Sequence, residues 1–227
     1  MLGLGGSLVN SGDVEEFLPE KVSSLIHWYK HAEGLEDAGG AFPDDDEAIE
    51  VWRDSKGSND GTTNQYDILW DDTNKAVVSP ASAGFVLADE LTFTGAFSIY
   101  FRIQYVQTPN ATDIFSQDTS NANDMHIGVR SANLFRAKID GNLNDFTGFT
   151  LATGQYYNFG LERDSSNNLR LYVDGTEAPS GGTTDTGAVI LDFMRCSKED
   201  LYITTLIFND ALSANNRRYL ETYLSNI

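Results

Sequence analysis

Asn158-Phe-Gly-Leu-Glu-Arg-Asp-Ser-Ser-Asn-Asn-Leu-Arg-Leu-Tyr-Val-Asp-Gly175 decides the fold of this chain. Leu169, Leu171 and Val173 alternate with Arg170, Tyr172 and Asp174, the period-2 pattern of a half-buried strand. Phe159 and Leu161 do the same before it, opposite Asn158, Gly160 and Glu162. The polar run Asp164-Ser-Ser-Asn-Asn168 tolerates a tight turn, and Asp174-Gly175 ends the second strand with another. Two amphipathic strands joined this way predict an antiparallel sheet with one face packed and one wet.

Other runs extend the pattern. Phe97, Ile99, Phe101, Ile103 and Tyr105 share one face of a strand, with Ser98, Tyr100, Arg102 and Gln104 on the other. Further strands are expected at Leu25–Tyr29, Ile49–Trp52, Ile68–Trp70, Ala76–Val78, Gly84–Leu87, Leu91–Phe93, Asp113–Gln117 and Met125–Arg130. The series continues with Leu134–Ile139, Phe146–Leu151, Tyr156–Arg163, Val189–Phe193 and Leu201–Phe208. Many short strands between Gly, Asn and Asp turns predict an all-β, two-sheet antiparallel jelly-roll sandwich over residues 21–227. One short helix closes it: Ser213 is the expected N-cap, and Leu220, Tyr223, Leu224 and Ile227 recur at helical spacing. Residues 1–20 read as an extended N-terminal arm, because Gly3, Gly5, Gly6 and Gly12 disfavour regular structure. Its apolar Leu2, Leu4, Leu8 and Val9 favour docking on another surface.

Composition narrows the function. At 227 residues with 41% hydrophobic content, the chain suits one large domain. Its formal charge of −19 argues against nonspecific nucleic-acid binding and against docking on anionic lipid. Cys196 is the only cysteine, so an internal disulfide is impossible, and its apolar neighbours predict a buried thiol. No apolar run is long enough to span a bilayer, and the N-terminus lacks the features of a signal peptide.

Three segments carry a family resemblance. The Arg163–Gly175 hairpin resembles the hallmark of laminin-G-like and concanavalin A-like β-sandwich domains. Leu201–Leu224, a strand followed by an Asn209-Asp-Ala-Leu-Ser213 turn and a helix carrying Tyr223-Leu224, is similar to the ending of that group in bacterial and viral proteins. Val51-Trp-Arg-Asp-Ser-Lys-Gly-Ser-Asn59 is similar to its "W-x-D-x-S-G-x-G-N" segment, with Lys56 inserted and Ser58 in place of a glycine. The N-terminal Met-Leu-Gly-Leu-Gly-Gly-Ser7 also resembles virion proteins of marine tailed phages. These resemblances imply a sandwich fold and a structural or adhesive role, since the fold hosts many unrelated functions.

Candidate chemistry is sparse. Laminarinase-type hydrolases of this fold carry Glu-x-Asp-x-Glu on one strand, and that triplet is absent here. His27, His31 and His126 do not form a metal motif, because positions 27 and 31 fall on and just after a strand. Asp44-Asp45-Asp46-Glu47 offers hard oxygens, and Asp44, Asp45 and Asp46 would be the ligands if calcium binds. Consecutive acids cannot all face one ion, so a solvated run is the favoured reading and no cofactor is expected. Tyr66, Trp70, Asp71 and Asn74 combine aromatic faces with Asp and Asn, the chemistry of a glycan contact. Trp28 and Trp52 lie in apolar strands and read as core. The expected function is therefore a non-catalytic structural or interaction protein. It would be a phage virion component, such as a capsid decoration, neck or tail fibre, anchored through its arm to other virion proteins or to copies of itself and adsorbing to cell-surface polysaccharide. The alternatives are a free lectin-type carbohydrate-binding domain and, less favoured, a laminarinase-like hydrolase.

Overall fold

In the computed structural model, which describes residues 18–64, 67–79, 83–117, 125–196 and 200–227, the side chains of Phe97, Ile99, Phe101 and Ile103 are at most 1% exposed. They point into a core closed between two antiparallel sheets, and the strands below are numbered in chain order. Sheet I runs β16 (Thr176–Glu177), β15 (Leu169–Val173), β14 (Tyr156–Arg163), β9 (Phe97–Gln104), β18 (Leu201–Phe208), β7 (Ala76–Val78), β6 (Ile68–Asp71) and β3 (Ala48–Ile49). Strand β1 (Leu25–Tyr29) pairs with the Thr205–Phe208 half of β18, while β7 meets it at Tyr202. Sheet II runs β13 (Asn142–Phe146), β12 (Leu134–Ile139), β11 (His126–Ser131), β10 (Asn110–Ser116), β17 (Val189–Cys196), β8 (Ala83–Phe93), β5 (Gly61–Thr63), β4 (Val51–Trp52) and β2 (Leu35–Glu36). All-β sandwich architecture with one C-terminal helix follows from these pairings.

Aromatic side chains from both sheets fill the centre. Phe159 of β14 stacks on Phe101 of β9 at 5.2 Å and on Phe135 of β12 at 5.5 Å between centroids. Such offset pairs add about 0.5–1.5 kcal/mol beyond area burial. The Asn158–Gly175 hairpin forms as expected, and in it Phe159 lies opposite Val173 and Arg163 opposite Leu169. The Asp164 carboxylate accepts from the Ser166 and Asn168 amides. At the next turn Asp174 and Gly175 both adopt positive φ, as a two-residue hairpin of this hand requires.

Four expectations change. The run Ile49–Trp52 is not one strand: Ala48–Ile49 pairs in sheet I and Val51–Trp52 in sheet II, so the chain crosses between sheets at Glu50. Gly84–Leu87 and Leu91–Phe93 merge into β8, and the strand expected at Phe146–Leu151 instead lies at Asn142–Phe146, set by the Asp140–Gly141 turn.

The fourth change matters most. The outer face of β14 is not wet, because α1 (Ala214–Ser225) lies across it, its first turn capped by Ser213 Oγ accepting from the Asn216 amide. Leu220 and Leu224 pack with Trp28, Tyr100, Leu206 and Phe208 in a second apolar layer. The outward Glu162 is consequently only 2% exposed. Its carboxylate is held by Arg217 of α1 at 2.7 Å and by the Tyr100 hydroxyl at 2.6 Å.

Candidate functional site

Most of the polar residues that stand out in the sequence fasten loops. Asp54 accepts hydrogen bonds from the Trp28, Lys56 and Asn59 amides and from His27 Nδ1. Burial opposes its ionisation, yet the His27 and amide bonds prevail and hold its carboxyl well below the usual range. A Cβ on Gly57 would lie 2.5 Å from Asp54 Oδ2, so this turn admits only glycine. The Trp52–Asn59 motif is thus a staple between β1 and β4. Arg53 extends it, its guanidinium spanning Glu36 and Asp60.

One open surface is the part of sheet I's outer face that α1 leaves uncovered. In the β6–β7 hairpin Leu69 pairs with Val78 and Asp71 with Ala76, which turns Leu69 and Asp71 outward. Across β18, Leu201 lies beside Gln104, and Gln104 beside Tyr156 of β14. The result is a depression of about 420 Å³ with a floor of Leu69, Val78, Leu201 and Val106 and a rim of Asp71, Asn74 and Gln104. Asp71 accepts from the Asn74 amide at 2.8 Å and from Asn74 Nδ2 at 2.7 Å, which fixes both groups at the rim. Tyr156 flanks the site, the Arg102 guanidinium 4.8 Å above its ring. An apolar floor with a few fixed donors and acceptors suits the C–H face and hydroxyls of a sugar ring.

Asp71 and Asn74 therefore come together as the sequence suggests, but Trp70 does not join them. Alternation turns its ring inward, 1% exposed, where it meets Phe42 edge-on at 5.2 Å. Its Nε1 donates to Asp72, and no face is left for a sugar. Tyr66 lies outside the described residues, as do Leu2, Leu4, Leu8 and Val9 of the arm. Asp44, Asp45 and Asp46 are exposed and diverge: Asp45 caps the Asp72 amide, and Asp46 turns away at positive φ. No three His, Cys, Asp or Glu side chains converge on a metal position among the described residues. Sequence reasoning missed Gln104, Val106 and Leu201, which join Asp71 only through strand order.

A second recess, about 520 Å³, follows α1 past Asp174, Gly175, Arg217 and Glu221. Burial, opposed by the Asn158 hydrogen bond and aided by Asp174, pushes Glu221 up to about 7. Its Oε1 is buried without a partner.

Residues 71–193, more than half the chain, match the family described as the concanavalin A-like lectin/glucanases superfamily. The chain belongs to this superfamily. No curated protein sequence matches it. Among solved structures, this superfamily domain is similar to domain 4 of AbnA, a GH43 extracellular arabinanase from Geobacillus stearothermophilus solved with arabinotriose. The TM-score is 0.62 at 16% identity, covering 87% of this chain and 98% of that one. It is also similar to Trypanosoma rangeli sialidase (TM-score 0.60, 14% identity, 90% of this chain), of which it spans 33%. A third match is the binding domain of botulinum neurotoxin serotype D/C (TM-score 0.56, 12% identity, 88% of this chain and 52% of that one). These likenesses establish the lectin-like fold.

Proposed function

We propose that this domain is a non-catalytic carbohydrate-binding module that takes sugar in the open depression of sheet I. The observation that carries this reading is the apolar floor of Leu69, Val78 and Leu201 rimmed by the fixed Asp71–Asn74 pair and Gln104. The shared fold with an arabinanase domain solved with arabinotriose supports it. Glu162, a buried outward carboxylate near α1, is ion-paired with Arg217 and 2% exposed, so it does not open onto this depression.

Titration of the full chain with neutral oligosaccharides, arabinotriose among them, tests the reading by heteronuclear NMR. Peaks from Leu69, Asn74 and Gln104 should shift. Asp71→Ala combined with Asn74→Ala should weaken binding at least about tenfold, the loss expected when hydrogen bonds to a charged group disappear. Saturable binding that ignores this double variant, or its absence across the panel, overturns the proposal.

A second reading places the domain in a virus particle, held by residues 1–20 to other virion proteins or to copies of itself. The glycine-rich arm carrying Leu2, Leu4, Leu8 and Val9 favours it. Removing residues 1–20 would then abolish incorporation into particles while leaving sugar binding intact, with calcium needed for neither.

A further inference from the structure

On the opposite side of the molecule, positive charge collects against the sign of the whole chain. Cross-strand partners share a sheet face. Lys138 pairs with His126, and His126 with Ser116; Arg136 pairs with Gly128, and Gly128 with Asp113. Arg195 reaches in from β17 and donates Nε to Ser116 Oγ at 3.0 Å. One row thus crosses β17, β10, β11 and β12 as Phe193, Ser116, His126 and Lys138, roughly 14 Å long at the normal strand spacing, with Arg195 two residues along β17 reaching into it. The next row holds Asp113, Arg136 and Asp145, with Arg130 bonded to Asp113 and Arg136 gripping Asp145 at 2.6 and 2.8 Å. Asp192 is buried at the bulge of β17.

The pairs consume Arg130 and Arg136. Lys138 makes no ion pair among the described residues, and Arg195 bonds the neutral Ser116 while its guanidinium lies 5.2 Å over Phe193. Beside Lys138 on the edge strand, Leu143 is 55% exposed. Between the two cations His126 keeps a buried Nε2 without a partner. Its imidazole reports the local field: burial first, then Arg130, Lys138 and Arg136, against Asp113, push it down to about 4. A formal charge of −19 repels any ligand of high negative charge density, duplex nucleic acid above all. A chain of sugars with sparse acidic groups meets two open cations and an apolar neighbour at far less cost.

We propose that this face of sheet II binds a polysaccharide bearing carboxylates or sulfates, with Lys138 and Arg195 contacting the acidic groups and Leu143 the ring. This surface is separate from the depression on sheet I and does not depend on it.

Polygalacturonate and dextran sulfate serve as probes, with neutral dextran as control, in calorimetric titrations of the full chain at low and high NaCl. Lys138→Glu should weaken binding at least tenfold. Lys56→Glu, the same charge change on an exposed lysine elsewhere, should change it less than twofold. The protein has only three histidines, so NMR can follow His126 directly, and bound polymer should raise its pKa. Binding of one polymer alone identifies carboxylate or sulfate as the recognised group. The proposal is overturned if neither binds, if Lys56→Glu costs as much as Lys138→Glu, or if duplex DNA or polyglutamate binds equally well through Lys138. Persistence of the effect in the Asp71→Ala, Asn74→Ala double variant separates this surface from the sugar site.

Discussion

A fully buried guanidinium with no ion pair among the described residues sits at the end of β14. Arg163 donates to the carbonyls of Phe93, Gly95 and Gly187 and lies 5.1 Å from the Phe97 ring centroid. Burial pushes its pKa down from the usual arginine value. The five donors of a planar fork let one side chain satisfy acceptors on separate loops, which a lysine point charge cannot do. Arg163→Met would keep the volume and strand those carbonyls in the core. Each buried unsatisfied acceptor costs about 1–3 kcal/mol, so the variant should lose on the order of 3–5 kcal/mol. In urea denaturation the midpoint should fall at constant slope; a loss under about 1 kcal/mol would mean water replaces the fork. The same residue shows how far the sequence reaches. Arg163 marks the hairpin by resemblance, but its carbonyl partners at Phe93, Gly95 and Gly187 lie 70, 68 and 24 residues away and leave no local trace.

At the level of elements, apolar strands of five residues or more are legible: Leu25–Tyr29, Tyr156–Arg163, Leu169–Val173 and Leu201–Phe208 occupy the expected residues. Two-residue strands such as Leu35–Glu36 and Thr176–Glu177 are too short to show a period. The depression was half legible, since Asp71 and Asn74 share one hairpin whereas Gln104 arrives through β18. What alternation could not show is the helix that covers the outer face and removes Glu162 and Asn158 from water. That seam is sensitive to pH through Glu221 of α1, which faces Asn158, Asp174, Arg217 and Arg102. Its folded pKa of about 7 lies above the ordinary 4.5. Below about pH 4.5 both states are protonated and the group exerts no penalty. As pH rises toward 7 the unfolded state ionises first, and stability falls by about 2–3 kcal/mol. Glu221→Gln mimics the protonated form and should flatten this slope, raising the midpoint at pH 8 relative to wild type and leaving it nearly unchanged at pH 4.5. Equal effects at both pH values would place the cause in packing.

Over the whole molecule, 34 acidic residues against 15 basic ones make self-repulsion a global term in stability. Several bases are already committed: Arg53 to Glu36 and Asp60, Arg136 to Asp145, Arg217 to Glu162. Exposed acids such as Asp44, Asp45, Asp46 and Glu47 follow one another along the chain, within reach of the roughly 10 Å Debye length at 0.1 M salt. Added NaCl acts in two directions. It weakens exposed pairs such as Lys30–Glu33 and Lys75–Asp72, worth about 0–1 kcal/mol each. It also screens the repulsion among the surplus acids, 34 against 15 bases. Repulsion should win, so raising NaCl from about 10 to 300 mM should stabilise the fold by on the order of 1 kcal/mol, or about 2–4 °C in Tm. The same salt should loosen any acidic polymer held by Lys138 and Arg195, because that attraction is screened rather than relieved. A thermal midpoint that drops with NaCl while polymer binding also weakens would mean that the ion pairs, and not the surplus acids, dominate the electrostatics of this sandwich.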